Sequence, residues 1–127
     1  MRRSILAIAA ASLLAAPGVA LAHPKLLSAT PAANAAVVKP TSIKLSFSEA
    51  LVGPLSGVEL IMTGMPGMPG MANHAPMPIR GFTTKATGKD LVVTLPRPLP
   101  AGSYELKWHA VAADQHRAEG SYTFSVR

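Results

Sequence analysis

Apolar and polar residues alternate along most of the chain after its first 22 residues. Five sets of apolar side chains recur at every second position, a period that places each set on one face of a β-strand. The sets are Ile43, Leu45 and Phe47; Val58, Leu60 and Met62; Leu91, Val93 and Leu95; Tyr104, Leu106 and Trp108; and Tyr122, Phe124 and Val126. Long runs of helical period are absent from this sequence, so the alternation predicts an all-β domain.

Groups of Gly, Pro and Asp separate these sets and predict turns. They lie at residues 52–54, 87–90, 98–102 and 119–120, the last being Glu119-Gly120. A further short edge strand is predicted over residues 25–28, between two prolines. Several short strands at this spacing favour an antiparallel sandwich or barrel, with Trp108 as the expected anchor of its core.

The first 22 residues follow a different pattern. Two arginines precede an almost purely apolar run, and a Pro-Gly pair ends that run before the roughly 20 residues that a membrane-spanning helix needs. Ala20-Leu21-Ala22 then has small residues at alternate positions, as signal peptidase requires. We therefore expect residues 1–22 to be a secretory signal peptide cleaved after Ala22, and residues 23–127 to be one mature domain beginning at His23.

Composition narrows the chemistry of the mature domain. The chain has no cysteine, so disulfides and thiolate metal sites are excluded. The formal charge of +6 becomes +4 once Arg2 and Arg3 are removed with the leader. The basic residues are scattered rather than set in a stripe with aromatic residues, which argues against nucleic-acid binding. Such a surface still suits an anionic partner or membrane surface.

Residues 63–78 are too rich in Pro and Gly for a strand or a helix and predict a long loop. Methionines recur every third residue there, and a histidine lies among them: Met62, Met65, Met68, Met71, His74 and Met77. Extended Pro-rich backbone would align the thioethers on one side, and a flexible loop could equally fold them round one ion. Thioethers suit Cu(I), and His74 could add an imidazole. Two alternatives stay open: methionine filling the core, which Met62 fits in part, and low-complexity sequence without a ligand.

Three further residues form a candidate Cu(II) set. His23, as the first residue of the mature chain, would offer its α-amine and its imidazole as a chelate. Asp114 and His116 are two residues apart and would face the same way in extended backbone. The alternatives without a metal are that Asp114 is a turn residue bonded to its own backbone and that His116 is a solvated loop histidine. His109 follows Trp108 and is expected to be an exposed strand residue rather than a ligand.

Together, these residues resemble the CopC-type family of copper-resistance proteins over essentially the whole mature chain. The resemblance lies in the start His23-Pro24-Lys25-Leu26, in residues 28–32 and 43–49, in Met62-Thr63-Gly64-Met65 with residues 74–78, and in the ending Gly102-Ser103-Tyr104 to Trp108, Asp114-Gln115-His116, Gly120 and residues 124–126. It implies a periplasmic, antiparallel Greek-key β-sandwich of immunoglobulin-like or cupredoxin-like type, with about seven strands and a long methionine-rich loop.

The resemblance also implies a function. It implies a Cu(II) site at one end, formed by the amine and imidazole of His23 with Asp114 and His116, and a separate Cu(I) site in the methionine loop. Family members act as copper carriers or buffers and are associated with an inner-membrane copper protein called CopD. We therefore expect a monomeric copper carrier that acts in copper resistance or trafficking, binds no nucleic acid and catalyses no reaction.

Two other functions compete with the carrier. The first is an oxidative copper enzyme, because copper monooxygenases also use an N-terminal histidine chelate, although Asp114 would occupy a position that oxygen chemistry needs open. The second is a structural sandwich domain without a metal, which leaves the methionine loop without an explanation.

Overall fold

The computed structural model describes residues 23–64 and 76–127, which form two β-sheets packed on one core. The strands are β1 (Leu26–Thr30), β2 (Ala36–Val37), β3 (Ser42–Phe47), β4 (Gly57–Gly64), β5 (Met77–Pro78), β6 (Thr83–Thr87), β7 (Asp90–Thr94), β8 (Gly102–Val111) and β9 (Arg117–Val126). A short 3-10 helix, Gly53–Leu55, precedes β4. No helix in these two ranges is long and apolar enough to cross a membrane.

The strand order is that of a Greek-key sandwich. One sheet has the order β1-β3-β7-β6, and the other has the order β2-β9-β8-β4-β5. The pairs are antiparallel except for β2 with β9. The chain changes sheet between β1 and β2, β2 and β3, β3 and β4, β5 and β6, and β7 and β8. The predicted all-β sandwich is confirmed. Seven of the described strands have five or more residues, as expected, and β2 and β5 are two-residue additions.

The core lies between the inner faces of the two sheets and draws on all five alternating sets. Its most deeply buried side chains, each at most 1% exposed, are Ile43, Leu45, Phe47, Leu60, Leu91, Val93, Tyr104, Leu106 and Ala110. Trp108, the predicted anchor, is only partly buried and contacts the edge of this core, with its ring 5.1 Å from that of Phe47. Tyr104 is the largest of the fully buried side chains and takes the central position instead.

Tyr104 also fixes the turn that precedes β8. Its hydroxyl donates a hydrogen bond to the carbonyl oxygen of Pro100 at 2.6 Å, an arrangement like the tyrosine corner of Greek-key sandwiches. Burial raises the pKa of Tyr104 to about 12, so the hydroxyl keeps its proton at every physiological pH. The residues between Leu95 and Gly102 are thereby tied to the core.

The structure corrects the prediction of a turn at Glu119-Gly120. Both residues lie inside β9, which begins at Arg117 rather than near Gly120. Gly120 is paired with Trp108 on β8, and a Cβ atom at Gly120 would lie 2.5 Å from Cζ2 of Trp108. This glycine therefore makes room for the indole ring and does not reverse the chain.

The structure differs from the sequence predictions in two further places, one strand and one loop. β6 was not predicted, because its residues are exposed except for Ala86 and show no apolar alternation, as suits an edge strand. The loop predicted over residues 63–78 is shorter at both ends. β4 continues to Gly64, and β5 pairs back with Ile61 and Met62.

The sandwich has two ends that matter for function. At the Asp-His end, defined by residues 111–117, β8 passes into β9. At the methionine end, β4 ends at Gly64, β5 begins at Met77 and β8 starts at Gly102, which is paired with Val126. At roughly 3.3 Å per residue, the length of β8 puts these ends about 30 Å apart.

Candidate metal centre

Asp114 and His116 lie in a tight turn at the Asp-His end. The amide of Gln115 donates to the carbonyl oxygen of Ala112 at 2.8 Å, and the amide of Ala112 donates to that of His116 at 3.0 Å. Gln115 has a φ of 70°, in the left-handed region that residues other than glycine rarely adopt. The extended backbone expected for this segment is therefore wrong, because the β8–β9 hairpin must reverse its direction here.

The turn nevertheless brings the two side chains together. Oδ2 of Asp114 lies 2.8 Å from Nδ1 of His116, and Oδ1 accepts a hydrogen bond from the amide of His116 at 3.1 Å. Asp114 thus bonds its own local backbone, as the plain turn alternative expects, and orients an imidazole at the same time. Since Nδ1 faces the carboxylate, Nε2 is the ring nitrogen of His116 that remains for another partner.

The local hydrogen bonds also set the charge of Asp114. The pKa of Asp114 is lowered, first by the hydrogen bond from the backbone amide of His116 and then by the one with its side chain. The carboxylate is therefore ionised throughout the neutral range. It lies at the surface, with 46% of its side chain exposed against 28% for His116.

His23 reaches the same end from the other sheet. Its ring centroid lies 5.3 Å from that of His116, with the two rings nearly perpendicular at 87°. The following residues hold it there: Pro24 is fully buried, and Lys25 exchanges two hydrogen bonds of 2.9 Å with Ser48 at the end of β3. The three residues predicted as the Cu(II) set thus meet at one end of the sandwich.

A buried serine supports this turn from below. The Ser56 hydroxyl donates to the carbonyl oxygen of Val52 at 2.9 Å and accepts from the amide of Val111 at 3.0 Å. The amide of Val52 in turn donates to the carbonyl oxygen of Val111 at 2.8 Å. The 3-10 helix is therefore fastened to β8 at the residue before the turn. Sequence reasoning missed Ser56 and Ser48, since a single serine beside a turn carries no distinctive signal.

The arrangement offers two imidazoles and one carboxylate within a small region. Across the described part of the chain, however, no three His, Asp or Glu side chains are already arranged to hold a metal ion. In this full chain the nitrogen of His23 is also part of the peptide bond to Ala22. That nitrogen is therefore not a free amine in the chain as given.

The methionine end presents different chemistry. Met62 and Met77 are direct partners in the β4–β5 register, yet Met62 is only 3% exposed and belongs to the core, whereas Met77 is 47% exposed. The core-filling alternative therefore holds for Met62. Met65, Met68, Met71 and His74 lie outside the described residues.

His109 lies apart from both groups. It is half-buried on β8, where its ring lies over Gly57: a Cβ atom on that glycine would be 3.1 Å from Cε1 of His109. The strand histidine expected to be exposed is therefore half-buried instead, because Gly57 leaves space for the ring to pack.

These features define a small β-sandwich domain with His23, Asp114 and His116 gathered at one end. More specifically, the chain belongs to the CopC family, because the family model described as the CopC domain matches residues 26–127. It is similar to Copper resistance protein C of Escherichia coli, with 45% identity over 109 residues that cover 85% of this chain and 84% of the relative. Copper resistance protein C of Pseudomonas syringae pv. tomato is 42% identical over 127 residues, which cover 99% of this chain and 97% of that protein.

Solved structures agree with this assignment. PcoC, a methionine-rich copper resistance protein from Escherichia coli, superposes with a TM-score of 0.71 at 43% identity, covering 84% of this chain and 100% of that one. CopC from Methylosinus trichosporium OB3b gives a TM-score of 0.65 at 25% identity, covering 82% and 93%. The family and the fold predicted from the sequence are both confirmed.

Proposed function

We propose that this protein is a periplasmic copper carrier or buffer that acts in copper resistance or copper trafficking and not as an enzyme. Its relatives are named copper resistance proteins, which supports a role with copper. The observation that carries the proposal is the meeting of His23, Asp114 and His116 at one end of the sandwich. Two nitrogen ligands and a carboxylate suit Cu(II) among the common metals.

The Cu(II) site forms fully only after cleavage behind Ala22. Cleavage frees the α-amine of His23, which then chelates the ion together with its own imidazole. His116 binds through Nε2. The carboxylate of Asp114 lies against Nδ1 on the other side of that ring, so it must leave Nδ1 to contribute an oxygen to the same ion. Binding displaces protons from the amine and from any protonated imidazole, so copper and protons compete for this site.

A second, softer site lies in the methionine segment. We assign Cu(I) to Met62, Met65, Met68, Met71, His74 and Met77, because neutral thioethers prefer the softer ion. Of the two described members, Met77 is the more accessible ligand, and Met62 would have to leave the core to bind. The oxidation state of the copper thus selects the end of the molecule that binds it.

The distance between the ends bears on copper transfer. With about 30 Å between the ends of β8, an ion bound beside Met77 cannot pass directly to His116 by ligand exchange within one molecule. Transfer after reduction or oxidation therefore proceeds between molecules, or through a partner such as an inner-membrane copper protein of CopD type. The carrier itself acts as a monomer.

The test is a pair of titrations on the chain that begins at His23. Cu(II) in air and Cu(I) under anaerobic reducing conditions should each bind tightly with one ion per chain, and the protein should hold both together. Competition between the two ions for a single site, or no tight binding of either, would contradict the proposal.

A further inference from the structure

We propose that a groove at the methionine end docks an extended acidic peptide segment of a partner protein. This inference goes beyond the copper sites proposed above and does not depend on them. The groove lies between two stretches of chain, residues 78–81 after β5 and residues 95–100 before β8, and encloses about 440 Å³.

The surface of the groove is mainly apolar. Leu95 and Leu99, each 5% exposed, form its base and join it to the core, while Ile79 is half-buried beside them. Four prolines also line the groove, at residues 78, 96, 98 and 100. Proline has a fixed φ and no amide hydrogen, so these walls are stiff and offer no backbone donors to water or ligand. An apolar side chain can therefore enter at little cost.

Both walls are held in place by hydrogen bonds. The amides of Leu95 and Leu99 donate to the carbonyl oxygens of Thr41 and Pro40 at 2.9 and 3.2 Å. The facing wall is fixed where the amide of Ile79 donates to the carbonyl oxygen of Leu60 at 2.8 Å. With the bond from Tyr104 to Pro100, the groove is preformed, and binding would not have to order it.

Two arginines give the groove its charge. Arg80 and Arg97 line it from the two opposing stretches, and both are exposed. Elsewhere in the described ranges, Lys44, Lys107 and Arg117 each lie beside a carboxylate, whereas Lys85 and Lys89, which do not line the groove, have none within 4.0 Å. Within residues 23–64 and 76–127, no carboxylate lies within 4.0 Å of Arg80 or Arg97.

The remainder of the chain cannot supply a partner for these arginines either. All six acidic residues of the protein, Glu49, Glu59, Asp90, Glu105, Asp114 and Glu119, fall within the described ranges. The charge of Arg80 and Arg97 is therefore available to a carboxylate from another molecule. Guanidinium groups bind carboxylates with two parallel hydrogen bonds, which gives orientation as well as attraction.

The combined chemistry selects the occupant. A peptide with an apolar side chain flanked by carboxylates fills the apolar base and reaches both arginines at once. An anionic membrane would meet the same charges, but a flat lipid surface does not enter a stiff, concave groove. We therefore assign the groove to an acidic peptide segment, and the membrane becomes an outcome to be tested.

The experiment is nuclear magnetic resonance titration of the isotopically labelled, copper-free chain with a short synthetic peptide in which Glu residues flank Leu. The amide signals of Ile79, Gly81 and Leu99 should shift together, with a dissociation constant of about 0.1–1 mM, as expected of a small transient contact. Replacing Glu by Gln in the peptide should weaken binding by about tenfold, because charged hydrogen bonds are lost.

Matched protein variants separate specific docking from general attraction. The double variant R80Q/R97Q should weaken peptide binding by about tenfold or more, whereas K85Q/K89Q, which removes the same charge from exposed positions on and after β6, should change it by less than about twofold. Equal weakening in both variants would overturn the proposal. The proposal would also be overturned if phosphatidylglycerol vesicles shifted the signals of these amides and the peptide did not. Because no copper is present, neither result affects the copper sites.

Discussion

The two ends of the sandwich differ in how firmly they are built. At the Asp-His end, backbone hydrogen bonds close the turn, and Ser56 fastens Val111 beneath it. At the methionine end, the strand that carries Met77 is short: β5 has two residues, paired with Ile61 and Met62, and the further hydrogen bonds there hold the groove that follows β5. A rigid set of nitrogen and oxygen ligands suits Cu(II), which favours tetragonal geometry, whereas Cu(I) selects soft sulfur ligands. If the proposed function is correct, one small fold presents two copper sites of different hardness by using its opposite ends.

The largest expected difference between the ends is in their response to pH. Lowering the pH from 7 to 5 should weaken Cu(II) binding on the order of 10³-fold or more, because free imidazoles and α-amines take up protons across or above this range. Cu(I) binding should change far less, since thioethers do not titrate. Competition titrations with a chelator of each ion, repeated across pH, would measure both. A flat Cu(II) affinity would contradict the ligand set.

Protonation of Asp114 does not cause the expected loss of Cu(II) affinity between pH 7 and 5. Its pKa is lowered in the folded protein, so its contacts with His116 are fully present above the ordinary carboxylate pKa of about 4 and are lost only as the pH falls through the lower folded value. The carboxylate therefore stays ionised between pH 7 and 5, and the loss of Cu(II) there reflects nitrogen ligands alone.

Removing one Cu(II) ligand should weaken copper binding at the Asp-His end and leave it unchanged at the methionine end. His116→Ala should weaken Cu(II) binding by at least about 100-fold, more than the 10- to 100-fold typical of residues that only orient a ligand, and leave Cu(I) binding unchanged. His109→Gln is the matched control, because His109 lies on β8 but outside the cluster. Calorimetry with each ion would show whether the two variants differ; equal Cu(II) affinities would remove His116 from the site.

Removing the Ser56 hydroxyl, which supports the turn, should have a moderate effect on stability and on Cu(II) affinity. Ser56→Ala leaves the buried amide of Val111 without its acceptor, which should lower the free energy of unfolding by about 1–3 kcal/mol. Cu(II) affinity should fall by about tenfold, as for other residues that orient ligands, while Cu(I) affinity should not change. Urea unfolding and Cu(II) competition would test this, with the exposed Ser121→Ala as the control. Identical behaviour of the two variants would mean that Ser56 does not position the turn.

The smallest effects are expected among the methionines. Met77→Leu should weaken Cu(I) binding by less than about tenfold, because other thioethers remain, and should leave stability unchanged because Met77 is exposed. Met62→Leu keeps the core volume and should cost less than about 1.5 kcal/mol of stability. Cu(I) competition and thermal unfolding distinguish them. A larger loss of Cu(I) affinity in Met62→Leu than in Met77→Leu would show that Met62 leaves the core to bind copper.

Much of the fold was readable from the sequence because burial follows the strand period. The alternating sets around Leu45, Leu60, Leu91, Leu106 and Phe124 all supplied core residues. β6 was not readable, since an exposed edge strand needs no apolar face. Gly120 was misread because glycine marks turns and close approaches alike, and only the indole ring across from it shows which applies.

The residues of the candidate site could be predicted from the sequence, but the geometry that brings them together could not. Asp114 and His116 were predicted to meet through extended backbone, and they meet through a turn that depends on the positive φ of Gln115. The approach of His23 depends on the hydrogen bonds between Lys25 and Ser48, which are 23 residues apart and whose pairing follows from the fold alone. Long-range contacts of this kind have no local pattern to reveal them.

The most direct test compares two forms of the protein by electron paramagnetic resonance with Cu(II). One form begins at His23, and the other carries one additional alanine before it. The first should show a tight, nitrogen-rich spectrum that is lost or remodelled in the second, because the added residue converts the amine of His23 into a peptide nitrogen. The same weak spectrum in both forms would contradict the N-terminal chelate and leave the carrier function resting on the methionine segment.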